Sequence, residues 1–170
     1  GWIILSSEKP AAMRVYGNAG FDLLPSVAAM GVADLRRAPD AVAAVQDAGA
    51  GGLDLVNEIG RELRGAGYEE DVAMFLEQGS RLLVLEDRAA VCAREGYVQL
   101  LVARDEEAAA LVLWAALVTA PAGVTALVLF MTAAQQRAIR VALAARPPPS
   151  PDGPVCGKGR PGPPPPFSPA

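Results

Sequence analysis

The chain has 170 residues, 52% hydrophobic and only 5% aromatic, enough for one ordinary domain or one domain plus a piece of another, with a core of Ala, Val and Leu. A net charge of −4 without clustered Lys or Arg excludes nucleic acid as the main partner. The absence of histidine removes His-based triads, most zinc sites and the commonest general base, and Cys92 and Cys156 share no metal-ligand spacing. No metal is expected, and reduced thiols in the cytoplasm are the default.

Gly1 is followed at once by the apolar run Trp2–Leu5, a strand already under way, so Gly1 reads as a cut point inside a longer protein with no signal peptide before it. Ser6 and Ser7 offer capping oxygens, Pro10 fits a first helical turn, Ala12, Met13 and Tyr16 share one helix face, and Gly20 supplies a stop. Phe21–Val32, broken by Pro25 and Gly31, reads as a hairpin or two short strands. The stretch 33–40 has linker character.

A second unit starts near Ala41. Leu55, Val56, Ile59 and Leu63 make a helical stripe closed by Gly65, and Val72, Phe75 and Leu76 make a shorter one closed by Gly79. Strand-like runs Arg81–Leu85, Ala89–Ala93 and Tyr97–Ala103 alternate with polar turn triplets, predicting an antiparallel meander. Asp105 caps a helix through about Val118, with Glu106 and Glu107 suited to its positive end. Val124–Met131 is apolar on both faces and reads as a central strand. Thr132 caps a last helix that stops at Pro147. This order predicts a mixed α/β fold (α+β layered) rather than a doubly wound parallel sheet.

The two ends of the chain match at an offset of 126. Leu5-Ser6 falls on Met131-Thr132, Met13-Arg14-Val15 on Ile139-Arg140-Val141, Ala12 on Ala138, Ala19 on Ala145, Pro25 on Pro151 and Gly31 on Gly157. The register predicts two related lobes in tandem: residues 1–32 as the end of the first, 33–40 as linker and 41–146 as the second.

The stretch KPAAMRVYGNAGF (Lys9–Phe21) resembles the C-terminal signature of the GCN5-related N-acetyltransferases (GNAT), N-P-x-A-x-x-L-Y-x-x-x-G-F. Pro10, Ala12, Val15, Tyr16, Gly20 and Phe21 fall on it, and Lys9 stands where Asn is usual. The resemblance implies a GNAT-like mixed sheet flanked by helices and acetyl-CoA-dependent transfer to a small-molecule or protein amine. It implies Tyr16 as general acid for the departing thiolate, with Lys9 and Ala12 beside the cofactor. In that family the cofactor lies in a splay between the fourth and fifth strands, its pyrophosphate held by an R/Q-x-x-G-x-G/A loop opening a helix. Here the junction reads Arg104, Glu107 and Ala109 at the three key positions, so a carboxylate stands where the first glycine belongs. Ala142 stands where the first lobe has Tyr16. Both departures predict a second lobe that does not bind acetyl-CoA in the family's way. The first lobe's phosphate loop would lie before residue 1. A non-catalytic structural or partner-binding lobe, packed against a missing first lobe, is the alternative reading. Tyr16 is equally readable as a core aromatic.

Ala108–Gln136 carries no charge, which is long enough to span a bilayer, but Pro121 and Gly123 divide it and no basic cluster flanks it; a buried helix followed by a central strand is expected instead. The stretch 147–170, with eleven prolines in 24 residues, is expected as a disordered tail, with Pro163–Phe167 compatible with polyproline II and GPVCGKG keeping a trace of strand pattern.

Overall fold

The computed structural model describes residues 3–159. The strands are β1 (Ile3–Ser6), β2 (Asp22–Val32), β3 (Gln46–Asp47), β4 (Arg81–Leu85), β5 (Ala89–Arg94), β6 (Tyr97–Ala103), β7 (Thr125–Thr132) and β8 (Pro149–Lys158). The helices are α1 (Pro10–Asn18), α2 (Leu53–Arg64), α3 (Glu69–Glu77), α4 (Glu106–Val118) and α5 (Gln136–Ala145). One sheet holds all eight strands in the order β1-β8-β2-β7-β6-β5-β4-β3, antiparallel except for β6 and β7. The predicted helix-helix-meander-helix-strand-helix order is present, and the fold is mixed α/β.

Side-chain alternation along β5 explains why two helical layers form. Ala89, Val91 and Ala93 join one buried cluster with α4 and α5, whereas Ala90 and Cys92 join another with Val56 and Ile59 of α2 and Val72 of α3. Helix α2 is apolar on one stripe and ends at Gly65, whose φ of +77° suits glycine. Its buried Asn57 accepts the Tyr68 backbone N–H at 2.8 Å, tying α2 to the start of α3. Helix α4 is apolar all round and buries Ala108, Val112, Leu113, Trp114, Ala116 and Leu117 between the sheet and α5.

The uncharged stretch does not form one long helix. It divides into the 13-residue α4 and strand β7, and no helix among the described residues is long and apolar enough to cross a membrane.

The structure corrects four local expectations. Residues 22–32 form one continuous strand, not a hairpin, because β7 and β8 flank it on both sides and bulges absorb the irregularity around Pro25. Helix α1 is capped by Lys9 without a side-chain bond; Ser7 Oγ instead accepts the Lys9 N–H at 3.2 Å. The 33–40 stretch is docked, not free: the Asp34 N–H donates to the Ala145 carbonyl at 2.8 Å and Arg37 to the Ala144 carbonyl at 3.1 Å.

The fourth correction concerns the expected disordered tail, which from Pro149 to Lys158 is strand β8, inserted between β1 and β2. Proline is tolerated there because the ladder with β1 covers only Val155–Lys158. Pro149 and Pro151 therefore lie where the strand has a ladder partner on one side alone, in β2. The Pro163–Phe167 reading lies outside the described residues.

The internal match of the sequence becomes a match of elements. β1–α1–β2 and β7–α5–β8 align at the same 126-residue offset: β1 ends at Ser6 and β7 at Thr132, α1 starts at Pro10 and α5 at Gln136, β2 ends at Val32 and β8 at Lys158. β2 and β8 pair with each other, and the equivalent residues Ser26 and Asp152 stand directly opposite. Each unit's last strand also pairs with the other unit's first, β2 with β7 and β8 with β1.

Candidate functional site

The site begins where two parallel strands part. β6 and β7 share a single ladder position, Tyr97 opposite Leu127, where the Leu127 N–H donates to the Gly96 carbonyl at 3.0 Å. Beyond it the strands diverge, with α4 and α5 beneath. The gap holds a cavity of about 90 Å³ whose apolar wall includes Val98, Leu101, Leu113, Val128 and Met131, with Gln99 and Gln135 as polar members.

Bulges distort both walls. On β6, Val98 and Leu100 face the adjacent residues Ala93 and Cys92, leaving Gln99 as the extra residue. On β7, Val128 and Met131 face Ala29 and Val27, which places Leu129 and Phe130 in a bulge with one residue too many. Phe130 has φ +56°, a conformation that costs a β-carbon-bearing residue energy, and its N–H donates to the Asp152 carboxylate at 3.4 Å. Two facing strand edges without further mutual pairing suit an extended, largely apolar guest that carries amide groups.

On α4 the cavity is lined by Ala109 and Leu113, and the start of that helix, one turn earlier, is rich in carboxylates. Asp105, the N-cap, accepts the Ala108 N–H at 2.9 Å, so its own carboxylate occupies a donor that would otherwise face a ligand. Arg88 grips Asp105 with two hydrogen bonds of 2.9 Å and reaches Glu107 at 3.2 Å. That guanidinium, chiefly, holds the Asp105 carboxyl below its ordinary range, and the same bonds raise Arg88 above its own. Arg104 is committed to α2: it meets Glu58 at 2.6 Å and Glu62 at 2.8 and 3.0 Å, and donates to the Asp87 carbonyl. Its hydrogen bonds lower the Glu62 carboxyl.

No family model matches the chain, and no curated protein matches it. Two solved structures do. One is a protein from Pyrococcus horikoshii assigned provisionally as an acetyltransferase, with TM-score 0.71 and 18% identity over 94% of this chain and 53% of that one. The other is a GCN5-related N-acetyltransferase from Kribbella flavida, with TM-score 0.55 and 20% identity over 91% of this chain and 42% of that one. The fold is GNAT-like. The chain spans about half the length of the solved chains it matches.

Counted from β3, β6 and β7 are the fourth and fifth strands, the pair between which the sequence resemblance places a splay. The residues at the start of α4 do not fit a diphosphate. Arg88 and Arg104 are already paired, the Ala108 N–H is taken, and Asp105, Glu106 and Glu107 put carboxylates on the helix end, where Arg137 and Arg140 of α5 share a small polar cavity with Glu106.

The sequence-predicted residues lie elsewhere. Tyr16, half-buried, Lys9, exposed, and Ala12, half-buried, all belong to α1 or its cap, which packs on β2; none lines the β6/β7 cavity. The structure brings these three together with one another but not with the splay. The Tyr16 ring meets Phe21 in a tilted pair at 5.8 Å, and Lys158 lies 5.7 Å from the Phe21 ring. Sequence reasoning missed Arg88, Gln99 and Phe130. Arg88 sits in a turn triplet with an ordinary composition, and a bulge at Gln99 or a positive φ at Phe130 leaves no mark where glycine is absent.

Proposed function

We propose that the chain is the C-terminal part of a two-lobe GNAT-like N-acetyltransferase, in which the intact protein moves an acetyl group from acetyl-CoA to an amine. The observation that carries this reading is the β6/β7 splay, one ladder position followed by an apolar cavity, within a GNAT-like sheet. In the first lobe Tyr16 serves as the acid, its phenol giving a proton to the departing thiolate; a phenol and a thiol of similar basicity exchange a proton with little energetic mismatch. Lys9 and Ala12 lie beside the cofactor in the same lobe.

A second reading, that the lobe formed by residues 41–146 is a scaffold without acetyl-CoA chemistry, is favoured by a specific observation. Asp105 caps α4 in place of an anion, and Glu107 replaces the glycine that close approach requires. The two readings combine: catalysis belongs to the first lobe, support to the second.

Calorimetric titration of the chain with acetyl-CoA tests both. The scaffold reading expects no binding at millimolar cofactor, and Glu107→Gly together with Asp105→Asn to restore measurable affinity. Micromolar binding by the unaltered chain, with Tyr16→Phe leaving affinity intact and slowing acetyl transfer, would instead make this chain an enzyme in its own right.

A further inference from the structure

Helix α1 buries none of its residues completely, whereas α5, its equivalent in the internal repeat, buries three. The difference falls on particular positions. Val15 is 62% exposed and its equivalent Val141 only 5%; Ala19 is exposed and its equivalent Ala145 fully buried. The flanking positions behave alike in both helices: Ala12 and Ala138 are half-buried, as are Met13 and Ile139, and Arg14 and Arg140 are exposed. At these positions the two helices are alike, but α5 packs on β7, β8 and α4, whereas α1 packs chiefly on β2, so α1 lacks a neighbour on one side.

For α5 that neighbour is α4. Val141, Ala142 and Ala145 share a buried cluster with Leu113, Trp114 and Leu117 of α4. Beyond Glu107 the α4 surface offered to α5 is apolar, with Ala110, Leu111 and Trp114 along the groove between them. An exposed valine-and-alanine face on a helix whose copy is covered in this way is a face with a missing partner, not an ordinary surface.

We infer that the α1 face bearing Val15 and Ala19 is an interface that receives an apolar, alanine- and leucine-rich helix of α4 type, supplied by a lobe preceding residue 1 in the intact protein. This rests on the two-lobe reading. Two features name the occupant. The repeat unit around α1 has a covered counterpart whose cover is α4, and the solved chains of this fold are about twice as long as this one.

The test builds the missing lobe from the repeat itself. Residues 33–126 are joined ahead of Gly1, which keeps the 126-residue register, and Val15→Cys is labelled with a thiol reagent. In the unextended chain labelling is fast; in the duplicated chain it is expected to slow by about a hundredfold or more, while Arg14→Cys stays fast in both. A duplicated chain that folds as two lobes with Val15→Cys still reactive overturns the interface and leaves the two-lobe reading standing. A duplicated chain that forms no second lobe counts against the two-lobe reading, and the interface is then decided by a second measurement. A peptide of residues 105–119 with a lysine tail is titrated onto the unextended chain. Hydrogen-exchange protection confined to residues 13–19, lost in Val15→Asp, supports the interface. Absence of protection overturns it, as does protection that the chain acquires alone with rising concentration, which would make a second copy the occupant.

Discussion

The Asp105 carboxylate receives both its Arg88 hydrogen bonds at 2.9 Å while it accepts the Ala108 backbone N–H at the same distance. One side chain thus caps α4, fixes the β4–β5 turn that carries Arg88 and closes the helix end to anions. Replacing Asp105 by Ala removes the cap and is expected to lower stability by about 1 kcal/mol. The pH dependence has a definite sign. Arg88 lowers the folded-state carboxyl, so the contribution is fully present above the unfolded value of about 4 and disappears as pH falls through the folded one. Denaturant melts of the unaltered chain and Asp105→Asn should stay separated from pH 8 to about 5 and converge in stronger acid.

Asn57 is a buried polar residue whose position in α2 is decided by a backbone group outside that helix, the Tyr68 N–H at 2.8 Å. Asn57→Ala strips this donor of the acceptor without filling the space. A loss of about 1–3 kcal/mol in urea unfolding is expected, larger than for alanine at an exposed α2 position such as Arg61.

The β5–β6 connection is a two-residue turn in which Glu95 and Gly96 have φ of +50° and +81°. Positive φ at both positions is the type I′ geometry that Asn-Gly satisfies best. Glu95→Asn should raise stability by up to about 1 kcal/mol. Gly96→Ala should lower it by about 2 kcal/mol or more, because the new Cβ would lie 2.7 Å from the Ala120 Cβ in addition to the backbone strain. Paired thermal or urea melts read both signs.

Arg146 ends α5 with φ +75°, and its equivalent at the end of α1 is Gly20 with φ +81°. The end of α5 therefore keeps the left-handed stop without the residue that relaxes it. Arg146→Gly should stabilise the chain by about 0.5–1 kcal/mol, since the 3.8 Å pair of its largely exposed guanidinium with Asp34, which Arg36 already holds at 2.9 Å, contributes less than the strain relieved. Arg146→Ala keeps the strain and loses the pair, so it should not stabilise; the difference between the two melts isolates the backbone term.

Much of the architecture was legible because local rules and tertiary demands agreed. β4, β6 and α4 fall on the residues that the apolar periodicity marks, and Gly65 and Asp105 close and open the helices they are expected to. The two chain ends that match at an offset of 126 also carry elements at matching positions. Legibility failed where a segment's fate depended on distant chain. Pro149–Lys158 has the composition of a coil, yet the edges of β1 and β2 supply hydrogen bonds that its own sequence cannot announce. Phe21–Val32 looks broken at Pro25 until two flanking strands hold it straight.

The sequence by itself determined the element order, the mixed α/β class and the match of the two chain ends at an offset of 126, because each is written in spacing and residue type. Only the tertiary structure decided that the matching segments exchange strand partners, that Arg88 and Arg104 are paired with carboxylates of α4 and α2, and that Val15 lies open where Val141 is buried. Those outcomes depend on which surfaces meet across more than a hundred residues, and a periodicity records that a face is apolar without recording what covers it.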